Sequence, residues 1–326
     1  MRLTRVCAAA AIAAGLLLGL VACGGSSGSQ SQTTAPQKVS LQLNWFHEAE
    51  FVGYYVARAK GFYGAEGLDV EIREGGPGDP AIGHVLDGTA DFAISSFGET
   101  SEATTARQPV VAVMSAFQIP PLVIFSLAGS DITRPGDLAG KRVGITTDYW
   151  REVLDETLLA ANVAPSRVKK VEVETDDLEA LYERREVDAW LGYAQDEPIK
   201  VEMAGFDVST IYPADYGVGG YEGLVLVRDE DVRDRPDVVG AFVRASQRGW
   251  RYAVEHPDEA AGVLLDWAPD PGLEFQKAAV RAVGPLVDAP GAPIGWVDEE
   301  RWRMLIGSGY RPEHPGYTMR FSSPGP

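Results

Sequence analysis

Strand-like and helix-like segments alternate along this chain at short intervals. That alternation restricts it to a parallel α/β architecture more tightly than any other feature. Residues 39–43 alternate apolar and polar at the period of a half-buried strand. Phe51, Val52, Tyr55, Val56 and Ala59 then recur at helical spacing as far as Lys60, and Gly61 is placed to end that helix. Leu68, Val70 and Ile72 form a second strand. Asp79 followed by Pro80 reads as a helix start, with the helix running to Asp87 and stopping at Gly88. Residues 92–95 and 110–116 are further strands, the first short and buried.

The pattern begins again at Ser130. Strands are predicted at 142–145, 168–173, 187–191 and 208–212, with helices at 150–161 and 178–184 between them. Residues 85–100 and 181–198 share a faint echo, each delivering a short buried strand into the start of a helix, Ala90-Asp91-Phe92 in one and Val187-Asp188-Ala189 in the other. Two lobes of equivalent geometry follow from this. A strand at 224–227 returns to the first lobe, ahead of a long amphipathic helix from Pro236 to about 254 and helices near 257–267, 273–283 and 297–306. The simplest partition is 39–128 plus 223–326 for one lobe and 129–222 for the other. Crossings are then expected at Ala128-Gly129-Ser130 and between Gly219 and Gly223.

At 326 residues, with 45% hydrophobic and 23% charged, the chain is long enough for two cored domains. Forty-seven acidic against 29 basic residues give a net charge of −18, which argues against nucleic acid as a partner. The N-terminus carries Arg2 and Arg5, then an apolar run from Ala8 to Val21 that is short for a membrane span. Leu20-Val21-Ala22-Cys23 resembles a bacterial lipobox, which implies a signal peptide over 1–22 and lipidation of Cys23. A Gly/Ser/Gln/Thr-rich tether over 23–38 follows, suited to a domain held at a membrane surface, outside the cytoplasm. Cys7 lies within the signal, so the domain beyond the anchor has no disulfide or thiolate chemistry.

No histidine among His47, His84, His256 and His314 has ligand spacing, so no metal is expected. Gly75-Gly76-Pro77-Gly78 reads as a turn rather than a phosphate cradle. In parallel sheets ligands sit beyond the carboxyl ends of the strands, near helix N-termini. The candidates there in the first lobe are Asn44, Trp45, Phe46, Ser95, Ser96, Phe97, Glu99 and Gln118. In the second they are Asp148, Tyr149, Trp150, Tyr193, Gln195, Asp196 and Glu197, and Tyr221 and Glu222 lie on the way back. Flat aromatics with carboxylates and amides suit a neutral or cationic planar heterocycle, stacked by rings and bonded through its amines. Trp190, Trp250, Trp267 and Trp302 read as packing residues.

Leu43-Asn44-Trp45, Tyr55-Val56-Ala57, Lys60-Gly61-Phe62-Tyr63, Glu66-Gly67-Leu68-Asp69-Val70, Ala90-Asp91-Phe92 and residues 137–144 together resemble the thiamine-pyrimidine-precursor family of periplasmic binding proteins. The resemblance implies an α/β, two-lobe, type II periplasmic-binding fold and a monomeric, cofactor-free solute-binding protein. It also implies permease and ATPase partners in an ABC importer. The expected ligand is a thiamine pyrimidine precursor, then riboflavin, with sulfonate or nitrate third. The family also contains a pyrimidine synthase, which needs a pyridoxal-phosphate lysine, a histidine and a cysteine-rich iron motif. By alignment this chain has Ser95, Glu99 and Gly-Gly-Tyr-Glu-Gly-Leu (219–224) at those places, so no catalysis is expected. A surface sensor or scaffold is the remaining alternative.

Overall fold

The computed structural model describes residues 35–174 and 177–322. The expected signal peptide, Cys23 and most of the expected tether lie outside them. Among the described residues, ten strands form two five-stranded sheets: β1 (Gln37–Gln42), β2 (Leu68–Arg73), β3 (Phe92–Ser95), β4 (Val110–Phe117), β5 (Leu122–Leu127), β6 (Arg142–Ile145), β7 (Lys169–Glu172), β8 (Ala189–Tyr193), β9 (Val208–Ile211) and β10 (Glu222–Arg228). The spatial orders are β2-β1-β3-β10-β4 and β7-β6-β8-β5-β9. In the first sheet β1 pairs parallel with β2 and β3, while β10 is antiparallel to both β3 and β4. The second repeats this arrangement, with β6 parallel to β7 and β8 and with β5 antiparallel to β8 and β9. The odd strand of each sheet is therefore the one that has just crossed from the other.

That exchange corrects the expected boundaries. Leu122–Leu127, which the sequence reading leaves unassigned and on the first-lobe side of residue 128, is a full strand of the second sheet. Pro120 and Pro121 cannot donate to a ladder, so the chain leaves β4 before them. The six residues beyond them are all buried because β5 has neighbours on both edges and covered faces. The crossings are thus 118–121 and 212–221. The turn at Ala128-Gly129-Ser130 lies within the second lobe, where the Ala128 N–H donates to the Asp207 carbonyl (2.8 Å). Gln37 and Lys38, expected in the tether, pair with Leu68 and Asp69 in the first sheet.

The echo at 85–100 and 181–198 corresponds to equivalent strands, β3 and β8. In each case the aspartate before the strand bridges to its neighbour. Asp91 accepts from the Ser40 N–H (2.8 Å) and from Arg235 (2.8 Å), and Asp188 accepts from the Arg142 N–H (2.8 Å) and the Arg142 guanidinium. A continuous apolar cluster runs from Leu41 and Phe92 through Phe117 and Val287 to Phe125, Trp190 and Ile199, so the lobes share a core on one side. Trp190, Trp250 and Trp302 are fully buried, as their expected packing role requires. Among the described residues no helix is long and apolar enough to cross a membrane.

Candidate functional site

The loop leaving β1 is held from behind by glycines. The Gly75 N–H donates to the Trp45 carbonyl (3.0 Å), and a Cβ on Gly75 would lie 2.2 Å from the Leu43 carbonyl oxygen. The glycine loop is therefore a buttress, closed by a Gly76–Asp79 bridge, and it leaves Trp45 and Phe46 projecting, 41% and 48% exposed, edge-on at 5.3 Å. Two helices start at strand ends of the two lobes. Ser96 Oγ accepts from the Glu99 N–H (3.2 Å) to open Phe97–Thr105, and Thr147 Oγ1 accepts from the Trp150 N–H (3.4 Å) to open Asp148–Ala160.

Carboxyls dominate the first-lobe mouth. Burial pushes Glu222 up to about 8, helped by repulsion from Glu99 and opposed by the Phe97 backbone N–H. Burial also raises Glu50 to about 7, with repulsion from Glu222 adding to it, and Glu48 lies well above the usual carboxylate range through burial and then Glu50 and Asp196. Each of these three side chains retains partial solvent access, as the wall of a groove does. Across from them stand the phenols of the second lobe. Tyr149 is 44% exposed, and Tyr193 is half-buried. Desolvation raises both, and the next contributions come from Glu222 and Glu50 for Tyr149, and from Tyr149, Glu222 and Glu50 for Tyr193. The charges of the first-lobe carboxyls are thus felt by the second-lobe phenols.

Several candidates lie elsewhere. Tyr221, expected in the pocket, is 1% exposed; its hydroxyl accepts from the Asp298 N–H (2.8 Å), and its ring packs near Trp302. Gln118 is buried and donates to the Trp296 carbonyl (2.9 Å). Trp150 sits in the second-lobe core, edge-on to Tyr193 at 5.2 Å, and so supports the mouth from below. Ser95 is fully buried and donates to Glu99 (3.2 Å). Ser96 is engaged as a helix cap, and Phe97 packs edge-on against Trp302. Glu197 folds back to accept from the Tyr193 N–H (2.7 Å), and burial holds it up at about 8. Asn44, Trp45, Phe46, Glu99, Tyr149, Tyr193 and Glu222 remain at or beside the opening. Asn44 Oδ1 and both amide atoms of buried Gln195 have no hydrogen-bond partner. Glu48 and Glu50 were not predicted; the signal available was two carboxylates directly following an aromatic tip, which alone reads as a solvated loop.

A profile for proteins described as NMT1/THI5 like matches residues 48–260. The chain belongs to that family. Within the NMT1/THI5-like family it is 32% identical over 298 residues to the formylaminopyrimidine-binding protein of Halalkalibacterium halodurans, covering 89% of each chain. It is 27% identical over 244 residues to a 4-amino-5-hydroxymethyl-2-methylpyrimidine phosphate synthase of Legionella pneumophila, covering 73% of this chain and 76% of that one. In structure it resembles the periplasmic aliphatic sulphonate binding protein SsuA of Escherichia coli, with a TM-score of 0.66 and 13% identity over 83% of this chain and 84% of that one. The fold is therefore that of the periplasmic binding proteins.

The residues at the mouth do not fit pyridoxal phosphate or iron, the groups that the resemblance to the synthase implies. Ser95 offers a buried hydroxyl where an amine is needed, and Lys200 is paired with Asp196 (2.8 Å). A phosphate dianion would find no arginine or lysine among Glu48, Glu50, Glu99 and Glu222 to pair with, and among the described residues no His/Cys/Asp/Glu group has metal-holding geometry.

Proposed function

We propose that this protein is the solute-binding component of an ABC importer, closing its lobes on a small amino-substituted aromatic heterocycle of the thiamine-pyrimidine class. The observation that carries this reading is the pairing of Glu222 and Glu50, both held near neutrality by burial, with the exposed Trp45, Phe46 and Tyr149 rings. A planar ring stacks between aromatics, and its exocyclic amines donate to carboxyls that gain acceptor strength as they ionise. The kinship with a formylaminopyrimidine-binding protein supports the same class. Sulfonate and nitrate are disfavoured, because the residues placed at the opening (Asn44, Trp45, Phe46, Glu48, Glu50, Glu99, Tyr149, Tyr193 and Glu222) include no cation to pair with an anion. The protein acts without catalysis or cofactor, as a monomer outside the cytoplasm, anchored through lipid on Cys23 and meeting its permease and ATPase at the membrane.

A thermal-shift screen of the purified protein against aminopyrimidines, flavins, alkanesulfonates and nitrate tests the reading. Aminopyrimidines are expected to raise Tm most. Stabilisation by the anions alone would overturn it, and an internal aldimine absorbance on adding pyridoxal phosphate and iron would restore the enzyme alternative. Radiolabelled palmitate incorporated into wild type but not into Cys23→Ser checks the anchor.

A further inference from the structure

One side chain ties together the two crossings between the sheets. Arg301, in the first turn of the helix Glu299–Ile306, donates from Nη1 to the Gln118 carbonyl (2.7 Å) and from Nη2 to the Gly220 carbonyl (3.2 Å). Gln118 belongs to the crossing from β4 to β5, and Gly220 to the crossing from β9 to β10. The guanidinium lies 4.2 Å from the centre of the Tyr221 ring, whose hydroxyl accepts from the Asp298 N–H. Asp298 in turn caps Arg301's own helix by accepting from the Arg301 N–H (2.8 Å). The first crossing has further ties: the Leu286 carbonyl accepts from the Gln118 and Ile119 N–H groups (2.9 and 3.0 Å). The second contains Gly219 and leads into β10 at Gly223, with φ values of +96° and +60° in the left-handed region that glycine adopts most freely. The first crossing is thus tied to the first lobe by several bonds, and Arg301 bonds both.

Both carbonyls lie at the first-lobe ends of the crossings, just beyond the point where Phe117 of β4 pairs with Glu222 of β10, so Arg301 fixes the ends about which the second lobe must turn. A planar guanidinium offers donors in a fixed fork and holds two acceptors at a set separation, which a lysine ammonium cannot do. We propose that Arg301 is a positioning residue of the hinge: it couples the two crossings and holds the lobes in their facing arrangement, so ligand release requires its bonds to break. This rests on the reading of the cleft as a two-lobe ligand trap.

The test uses the full chain with Cys7 and Cys23 replaced by serine, which leaves no cysteine. Asp69→Cys and Lys169→Cys, at exposed positions on equivalent outer strands of the two sheets, then accept spin labels. Arg301→Gln is expected to shift the ligand-free inter-label distribution to longer distances. With 4-amino-5-hydroxymethyl-2-methylpyrimidine as probe, it is expected to raise koff roughly tenfold while kon stays within about threefold, because the lost bonds act after encounter. Arg301→Lys should fall between. An unchanged distribution and koff in folded Arg301→Gln would overturn the proposal; if that variant does not fold, a wild-type distribution in Arg301→Lys does so. Separated distributions with no probe binding in any variant leave the clasp standing and overturn the ligand reading instead.

Discussion

Glu99 and Glu197 occupy equivalent places, each near the start of the helix that follows the central strand of its lobe, yet they do different work. Glu99 accepts from a side-chain hydroxyl, Ser95 Oγ, and stands beside Glu222. Glu197 accepts from the main chain at Tyr193 and lies so close to Gly192 that a Cβ there would be 2.5 Å from its carboxylate. The first lobe therefore presents carboxyls to the cleft, whereas the second uses its carboxylate to shape a turn and presents phenols. The same topology has one mouth suited to the polar edge of a ligand and the other suited to its face.

Glu222→Ala and Glu197→Ala should separate most widely. The first is expected to weaken aminopyrimidine binding by roughly a hundredfold, the scale of a lost charged hydrogen bond, with Tm held or raised. The second should lower Tm and leave Kd within about threefold. Calorimetric titration alongside thermal melts decides, and the reverse pattern would break the assignment of edge and face. Gly192→Ala should cost about 1–3 kcal/mol from overpacking against Glu197, whereas Gly98→Ala, whose Cβ meets nothing nearer than Ser96 Oγ at 3.8 Å, should be neutral or stabilising in its helix. Urea unfolding of both variants measures the difference.

The pH dependence carries a definite sign. Glu222 and Glu197 near 8 and Glu50 near 7 hold protons in the native state that the unfolded chain releases around the ordinary value of 4.5. The stability from these groups is present at acid pH and lost as pH rises through 7 to 8. Melting curves from pH 5 to 8.5 should slope downward, and Glu222→Gln should flatten its share while Glu197→Gln flattens another. Only the Glu222 change is expected to remove a parallel rise in ligand affinity. Smallest of all, Tyr221→Phe should cost about 1 kcal/mol of stability by orphaning the Asp298 N–H, and leave Kd within about threefold. A large loss of affinity on that substitution would return Tyr221 to the pocket.

The exposure of Trp45 and Phe46 was legible because an aromatic pair just past a strand has few places to go but outward. The place of Glu222 at the head of a strand was legible for a related reason, from the glycine beside it. Tyr221 was not, since neither its neighbours in sequence nor its period reveals Arg301, 80 positions onward, stacked on its ring. Glu48 and Glu50 were missed because two acidic residues in a loop look like solvated surface until Glu222 and the second-lobe tyrosines are folded opposite them.

The periodicities at 39–43 and 51–60, the Asp91 and Asp188 echo and the Leu43-Asn44-Trp45 motif were enough by themselves to establish alternating α/β lobes and the family. Such features depend on residues within a few positions of one another, and backbone period and turn chemistry decide those locally. Tertiary structure alone placed β5 in the second sheet, moved the first crossing to 118–121 and closed Arg301 over both crossings. It also turned scattered glutamates into a single acidic wall. Each of those outcomes depends on partners from distant parts of the chain, and burial among such partners sets the charge that a carboxyl carries.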